Sequence, residues 1–177
     1  MMTSLDSQFQ TERFRLIPFE ESHISTEYLS WLNDPILMRY SEQRHFTHTS
    51  QSARNFLMSF DNSPSRFLAC VSKDSKKHFG NVVLTHDIFN NIVDVSIMIG
   101  YRDINVKRVG SEIWCFLIDS LITGSGVRKV TAGTMGSNVR MLKLFEESGM
   151  EYSSKFVDHF VRDGAFEDLI FYHKFRD

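Results

Sequence analysis

The sequence holds little of what disulfide-rich, fibrous or disordered proteins are built from. Its 177 residues include two cysteines and three prolines, and 42% of them are hydrophobic. Such a composition is typical of an ordinary globular protein. Cys70 and Cys115 each lie in an apolar run, which favours buried thiols over a disulfide or a metal site and leaves a catalytic cysteine as the minor alternative.

An excess of charge of one sign is also lacking. The formal net charge is −2, with acidic and basic residues interspersed, so we expect no nucleic-acid partner and no polybasic membrane arm. No apolar run approaches the ~20 residues of a spanning helix, and the first ten residues lack the features of a signal peptide. We therefore expect a soluble, cytoplasmic protein.

The seven histidines show no metal-ligand spacing, and no metal is expected.

The order of predicted elements indicates a mixed fold. A chain of 177 residues suits one domain, so residues 1–177 are taken as a single unit. Periodicity predicts the order β-α-α-β-β-β-α-β-α-β-β. The clearest signals are the apolar helical stripe Ile113–Ile122, which Gly110 precedes, and the turn Asp163-Gly164 of a terminal hairpin. The predicted class is α/β, more strictly mixed α+β, with helices packed on a mixed sheet.

The strand Ile92–Gly100 leads through a short loop into the helix that Gly110 opens. The first turn of a helix leaves backbone N–H groups unpaired, and the helix dipole adds positive charge there. Lys107, Arg108 and the hydroxyl of Ser111 add further donors. Together these features suit a pyrophosphate, although a solvated loop would show the same residues.

A second unit of the same kind follows. The strand Arg128–Thr134 ends in a glycine-containing turn and a helix that begins at Asn138. Two such units can bring two helix N-termini to one side of a sheet. Asn138 is either a ligand there or a helix cap, which is the commoner role of asparagine at that position.

Asp94 interrupts an otherwise apolar strand. Alternation places Val93, Val95 and Ile97 on one face of that strand and Asp94 with Ser96 on the other. A carboxylate in this position must be solvated, paired with another group or functional. The strand alone leaves these three possibilities open.

Five segments come in the order and spacing of the GCN5-related N-acetyltransferase (GNAT) superfamily. They are Thr11–Leu16, Trp31–Pro35, Asp94–Gly100, Val109–Glu112 and Asn138–Met150. More narrowly they resemble the RimJ/RimL-like subgroup, the ribosomal-protein N-acetyltransferase type. The resemblance runs from Thr11 to the terminal hairpin. It implies a mixed, mostly antiparallel twisted sheet of about seven strands with four helices, split between strands four and five.

The resemblance also implies acetyl-CoA as co-substrate and direct transfer of the acetyl group to a primary amine in a ternary complex. The positions it assigns to the cofactor are Ile97, Met98, Ile99, Asn105, Lys107, Arg108, Val109, Gly110, Ser111, Asn138 and Lys143. Four positions depart from the family pattern. Asn105 stands where the phosphate loop usually has Gln or Arg, and Arg108 stands where it has a glycine. Phe145 stands where many members have a tyrosine that protonates the leaving thiolate, and Met141 stands where RimL-like members often have serine.

The resemblance places Asp94 at the strand-four acid of the subgroup. A carboxylate there can accept the proton that an ammonium must lose before it attacks a thioester. The acceptor pocket of the superfamily lies between the early helices and the terminal hairpin. The candidates for it are Tyr40, Glu42, Arg44, His45 and Tyr172.

The sequence leaves several interpretations of the function open. The acceptor is either a small amine or a protein N-terminal α-amine, and residues 40–49 resemble those of members that modify amino sugars. A domain that binds CoA or a partner without catalysis is the alternative from another class. An unrelated nucleotide-binding α/β protein is disfavoured, because no strand precedes a Gly-x-Gly-x-x-Gly or Gly-Lys-Ser/Thr loop. The protein is expected to be a monomer or homodimer.

Overall fold

A computed structural model describes Leu5 and residues 9–100 and 108–176 of the chain. The strands of this part are β1 (Phe9–Gln10), β2 (Phe14–Pro18), β3 (Arg66–Ser72), β4 (His78–Asp87), β5 (Ile92–Ile99), β6 (Lys129–Met135), β7 (Glu151–Arg162) and β8 (Ala165–Phe175). They form one sheet in the order β1-β2-β3-β4-β5-β6-β8-β7. Neighbouring strands are antiparallel except β5 and β6, which are parallel.

The described residues include four α-helices. They are α1 (Thr26–Leu32), α2 (Ser50–Met58), α3 (Val109–Thr123) and α4 (Val139–Glu147). Polar side chains begin three of them: Ser25, Thr49 and Asn138 each accept a hydrogen bond from a backbone N–H of the first turn. Such caps satisfy donors that have no partner inside the helix. None of these helices is long and apolar enough to cross a membrane.

Two apolar clusters cover opposite faces of the sheet. The larger holds α3 and α4, with Trp114 and Phe145 both 0% exposed. The smaller holds α1 and α2 through Trp31 and Ala53, which pack with Phe67 of β3. Full burial of a side chain such as Phe145 stabilises the fold by roughly 3 kcal/mol. We call the two sides the α3/α4 face and the α1/α2 face.

The predicted fold class is confirmed, with one correction to the strand count. The resemblance implied about seven strands, and the sheet has eight. The additional strand is Phe9–Gln10, which pairs with β2. Two residues carry no readable alternation, so the pattern could not predict it. Cys115 also differs from expectation, because it is only partly buried whereas Cys70 is fully buried.

Candidate active site

The parallel strands β5 and β6 pair only at their starts. The pairing ends with Asp94 opposite Thr131, although β5 continues to Ile99 and β6 to Met135. Each strand stays paired with its other neighbour beyond that point. The two strands therefore diverge toward their carboxyl ends, and each exposes an unpaired backbone edge to the gap. This gap is the split that the resemblance implied.

Asp94 lies at the narrow end of the gap, on the α1/α2 face. The Thr131 hydroxyl donates a hydrogen bond of 2.8 Å to Oδ2 of Asp94. Burial raises the pKa of the Asp94 carboxyl above its ordinary value, and the hydrogen bond from Thr131 partly offsets that rise. A carboxylate with a raised pKa is a stronger base than a solvated one.

Alternate residues of β5 point to opposite faces of the sheet beside the gap. Ile97 and Ile99 pack against the α3/α4 cluster, and Met98 packs against the α1/α2 cluster. The three residues predicted to run beside the cofactor thus belong to the part of β5 that has no β6 partner. Their roles toward a ligand stay predictions.

The start of α3 lies beyond the end of β5. Arg108 precedes this helix with φ 68° and ψ 23°, in the left-handed region, where the family has a glycine. A Cβ on Gly110 would meet only Ile99, at 3.7 Å, so the described residues alone do not require a glycine here. The space beside Gly110 fits a phosphate group, because the N–H groups in the first turn of a helix have no partner within the helix. Asn105 and Lys107 lie outside the described residues.

The start of α3 contacts the end of α4 through side chains. The Ser111 hydroxyl donates to Glu147 at 3.2 Å, and the Lys143 amine lies 3.9 Å from the same carboxylate. Both residues predicted for the cofactor therefore have a protein partner, and the Lys143 side chain is 73% exposed. Val109 is buried in the core, which leaves its backbone as the group available to a ligand.

Asn138 caps α4, as its local sequence suggested. Its Oδ1 accepts from the N–H of Met141 at 3.4 Å, and its Nδ2 donates to the Thr134 hydroxyl at 2.9 Å. The side chain thereby ties the start of α4 to the end of β6. A cofactor contact by Asn138 stays a prediction.

The connection between α1 and α2 bridges the wide end of the gap. Just before it, Trp31 at the end of α1 packs so closely on Gly100 that a Cβ on this glycine would lie 2.0 Å from the indole. Further along, the Tyr40 hydroxyl donates to the carbonyl oxygen of Ser137, just after β6, at 3.3 Å. The end of α1 and this connection therefore together contact the ends of both diverging strands on the α1/α2 face.

Three of the predicted acceptor residues lie in that connection beside Tyr40. Arg44 donates to Glu42 at 2.5 Å and, through its other terminal nitrogen, to the carbonyl oxygen of Val161 at 3.0 Å. The His45 side chain is 54% exposed, and its Nε2 lies 3.6 Å from Glu42. The structure thus brings Tyr40, Glu42, Arg44 and His45 together.

Tyr172 does not join this group. It is 9% exposed and belongs to the core of the α3/α4 face, where its ring lies 5.2 Å from that of Phe145. Its hydroxyl donates to Glu146 at 3.3 Å. It also lines an open recess of about 590 Å³ between α4 and the terminal hairpin, away from Asp94. Alternation along β8 explains the difference, because neighbouring residues of one strand face opposite sides.

Two residues beside Tyr40 and Ser137, Arg162 and Glu167, were not predicted from the sequence. They form an ion pair across the terminal hairpin, and both contact the Ser137 hydroxyl. Their opposite charges on either side of Asp163-Gly164 predict a cross-strand pair. No sequence signal links that pair to Ser137, which is distant in the chain.

Comparison with known proteins decides the family. The model of the family described as "Acetyltransferase (GNAT) domain" matches residues 13–151. The chain belongs to the GNAT acetyltransferase family. The expected superfamily and the expected acetyltransferase class of enzyme are thereby confirmed. A search of curated proteins found no match for this GNAT chain.

Solved structures share the fold of this GNAT protein at low sequence identity. The GNAT-family acetyltransferase of Bacillus anthracis has a TM-score of 0.80 at 15% identity, over 96% of this chain and 99% of that one. Spermidine N-acetyltransferase of Vibrio cholerae, in complex with CoA and spermine, has 0.81 at 16%, over 94% and 97%. Ribosomal-protein-S5-alanine acetyltransferase of Vibrio fischeri has 0.77 at 17%, over 97% and 98%.

Among the described residues of this GNAT protein, no group of three or more His, Cys, Asp or Glu side chains could hold a metal ion. The described ionisable groups at the gap include Asp94 at the narrow end and the paired charges of the α1–α2 connection and hairpin at the wide end. The arrangement suits proton transfer at the narrow end of the gap and recognition of a second substrate at the wide end.

Proposed function

We propose that this protein transfers the acetyl group of acetyl-CoA to the primary amine of a small molecule, by direct attack in a ternary complex. The observation that carries the proposal is the gap between β5 and β6, with the half-buried Asp94 at its narrow end. Membership of the GNAT family supports acetyl transfer. The acceptor class rests on the shape of the α1/α2 face.

The proposed cofactor position follows from the groups around the gap. The unpaired edge of β5, from Val95 to Ile99, offers backbone N–H and C=O groups to the amide-containing arm of CoA. The start of α3, with Gly110 and Arg108, would take the pyrophosphate. Acetyl-CoA supplies the thioester carbon that the amine attacks. Backbone N–H groups of β5 would polarise its carbonyl oxygen.

Asp94 is proposed as the base. An aliphatic ammonium has a pKa of ~10 and must lose a proton before its nitrogen becomes nucleophilic. The Asp94 carboxylate, directly or through a water molecule, would take that proton while Thr131 holds it in position. Phe145 is fully buried and offers no proton donor to the leaving thiolate. A thiol has a pKa of ~8.5, so CoA can leave as the thiolate anion.

The α1–α2 connection favours a small acceptor. Together with Trp31 at the end of α1, it covers the wide end of the gap and contacts the ends of both strands. An extended polypeptide would need an open groove along this face. A small amine needs only a cavity beneath the connection.

A protein N-terminal α-amine is the second candidate. It is favoured by the fold shared with the ribosomal-protein-S5-alanine acetyltransferase of Vibrio fischeri. The same fold is shared with the spermidine N-acetyltransferase of Vibrio cholerae, so fold similarity supports both acceptor classes. The choice between them depends on the geometry of the acceptor side and on the experiment below.

The test combines binding with turnover. Thermal unfolding is measured with acetyl-CoA, CoA and ATP, and thiol release is then measured with polyamines, amino sugars and short peptides that carry a free N-terminus. Acetyl-CoA at 100-fold its dissociation constant should stabilise the fold by about 2.7 kcal/mol, and small amines should release thiol faster than peptides. No stabilisation by acetyl-CoA would overturn the proposal. Stabilisation without turnover of any amine would favour a binding domain that has lost catalysis.

A further inference from the structure

The α1–α2 connection is closed at its base. The side chain of Asn33 donates to the carbonyl oxygen of His48 at 2.9 Å, and the N–H of His48 donates back to Asn33 at 2.8 Å. Asn33 also bonds to the carbonyl oxygen of Leu29 in α1. Residues 34–47 therefore leave and return to the same point beside the two helices, which makes them a loop with a fixed base.

The tip of this loop is attached to two distant segments. Tyr40 bonds to Ser137 after β6, and Arg44 bonds to Val161 of β7. The guanidinium of Arg162 also lies 5.5 Å from the centre of the Tyr40 ring, within the range of a cation–π contact. The loop thus joins the end of β6 to the terminal hairpin.

Glu167 fixes the turn to which Tyr40 is attached. Its carboxylate accepts from the Ser137 hydroxyl at 2.6 Å and from the Ser137 N–H at 3.3 Å. Arg162 completes the set, because its Nε donates to Glu167 at 3.1 Å and its Nη2 donates to the Ser137 hydroxyl at 3.1 Å. Each of the three side chains therefore contacts the other two.

This ion pair is partly shielded from water. The Glu167 side chain is 11% exposed and that of Arg162 is 24% exposed. Donation from Ser137 and Arg162 holds the pKa of Glu167 below its ordinary value, which keeps the carboxylate ionised at neutral pH. Removing either side chain also removes a hydrogen bond to the Ser137 hydroxyl.

We infer that Arg162 and Glu167 are positioning residues that set acceptor specificity: by holding Ser137 and Tyr40, they keep the loop 34–47 across the wide end of the gap, so that a small amine is accepted and a polypeptide is excluded. This inference rests on the proposed function. It makes the hairpin, and not the sheet floor around Asp94, the determinant of acceptor size.

The chain offers a matched control on the same hairpin. Lys155 and Asp168 form an ion pair of 3.0 Å between β7 and β8, but alternation places it on the α3/α4 face. Among the described residues, neither side chain of this pair is hydrogen-bonded to Ser137 or Tyr40, although Asp168 packs beside Gly136 and also accepts from the N–H of Asp158 at 3.0 Å. The experiment compares Arg162→Gln, Glu167→Gln and their double variant with Lys155→Gln and Asp168→Asn.

Four quantities are measured for each variant: the dissociation constant of acetyl-CoA, kcat, the KM for the best small amine, and kcat/KM for a peptide with a free N-terminus. Hydrogen–deuterium exchange of residues 34–47 is recorded in parallel. For the Arg162 and Glu167 variants we expect faster exchange in the loop, a KM for the small amine raised about tenfold, and a ratio of peptide to small-amine kcat/KM raised about tenfold. Acetyl-CoA affinity should stay within twofold of the wild type in all five.

The outcomes separate the inference from the proposed function. If the wild type binds no acetyl-CoA or acetylates no amine, the proposed function is wrong and the inference falls with it. If the wild type is active and the Arg162 and Glu167 variants change the KM and acceptor ratio no more than the Lys155 and Asp168 variants do, the inference alone is wrong. Equal loop exchange in both sets would likewise contradict it.

Discussion

The hydroxyl of Thr131 donates a 2.8 Å hydrogen bond to the carboxylate of Asp94 at the last paired position of β5 and β6. Beyond this contact the strands separate, so the hydrogen bond marks the last position at which β5 and β6 pair. Burial raises the pKa of Asp94 and the Thr131 bond lowers it. The balance between these two effects sets the basicity of the proposed catalytic carboxylate.

Thr131→Val should raise the pKa of Asp94 further, because a bond to the ionised form is lost while burial stays. The acid limb of the pH profile of kcat/KM should therefore move to higher pH, with kcat at high pH little changed. Thr131→Ser keeps the hydroxyl and should retain the profile of the wild type. A Val variant whose acid limb stays in place would contradict the assignment of that limb to Asp94.

Asp94→Asn should lose activity and gain stability. Because the pKa of Asp94 is raised in the folded state, folding favours the protonated form, and stability falls as pH rises through the window above the unfolded value. At pH 7 the neutral Asn avoids this penalty, so Tm should increase, while turnover should fall by about 10²–10⁴-fold.

Asp87→Asn provides the comparison of opposite sign. Hydrogen bonds from Asn90 hold the pKa of Asp87 below its ordinary value, so ionisation of this carboxyl favours the folded state. Its replacement should leave Tm unchanged or lower it. An Asp94→Asn protein that melts at or below the temperature of the wild type at pH 7 would show that the carboxylate is well stabilised in the fold.

Two glycines near the gap should respond differently to alanine. At Gly100 a Cβ would lie 2.0 Å from the buried Trp31 ring, so Gly100→Ala should destabilise the protein by roughly 1–3 kcal/mol, the usual cost of overpacking. At Gly110 a Cβ meets only Ile99 at 3.7 Å, and alanine in a helix is favoured by up to about 1 kcal/mol.

Gly110→Ala should therefore preserve or increase stability and still weaken acetyl-CoA binding, because the added methyl group occupies the proposed phosphate position. Urea unfolding gives the stability of both variants, and titration calorimetry gives the affinity. Unchanged acetyl-CoA affinity in a fully folded Gly110→Ala protein would argue against the proposed position of the pyrophosphate.

His78 should make stability depend on pH. Rings of Phe19, Tyr28, Trp31 and His23 surround it, and its Nε2 lies 2.9 Å from the carbonyl oxygen of Gly80. Burial lowers the pKa of His78 to about 4, and the neighbouring His23 contributes. The unfolded chain therefore binds a proton that the folded one rejects between pH 6.5 and about 4.

The contribution of His78 to the free energy of unfolding should therefore be fully present above pH 6.5. It should decline as pH falls through this window, by an amount on the order of 2 kcal/mol. His78→Gln keeps a donor for Gly80 but does not titrate, so it should flatten the dependence of the unfolding free energy on pH. His159→Gln, at an exposed position of β7, is the control. Equal pH slopes for the wild type and His78→Gln would contradict the prediction.

Elements with a long, regular pattern were predictable from the chain alone. The stripe Ile113–Ile122 became α3, and Asp163-Gly164 became the turn of the terminal hairpin. Local signals also predicted that Asn138 caps α4. The strand Phe9–Gln10 was missed because two residues show no period, and its place comes from pairing with β2.

The sequence also showed where the chain departs from the family pattern, but not how each departure affects the structure. Arg108 stands at a glycine position, and the structure holds it at φ 68°, a conformation that costs a non-glycine residue roughly 1 kcal/mol.

Tyr172 was assigned to the acceptor side and lies instead on the α3/α4 face. One position along a strand reverses the face, so an error of a single residue in register moves a side chain across the sheet.

The sequence by itself determined the class of fold, the family and the strand that bears Asp94, because all three depend on local periodicity and on motifs in a fixed order. Only the tertiary structure decided what surrounds that carboxylate and what bounds the acceptor side. The bond from Thr131 exists because two strands 37 positions apart come into register. Tyr40, Ser137, Arg162 and Glu167 meet because the hairpin, the end of β6 and the α1–α2 connection converge in space, and no spacing along the chain encodes such a contact.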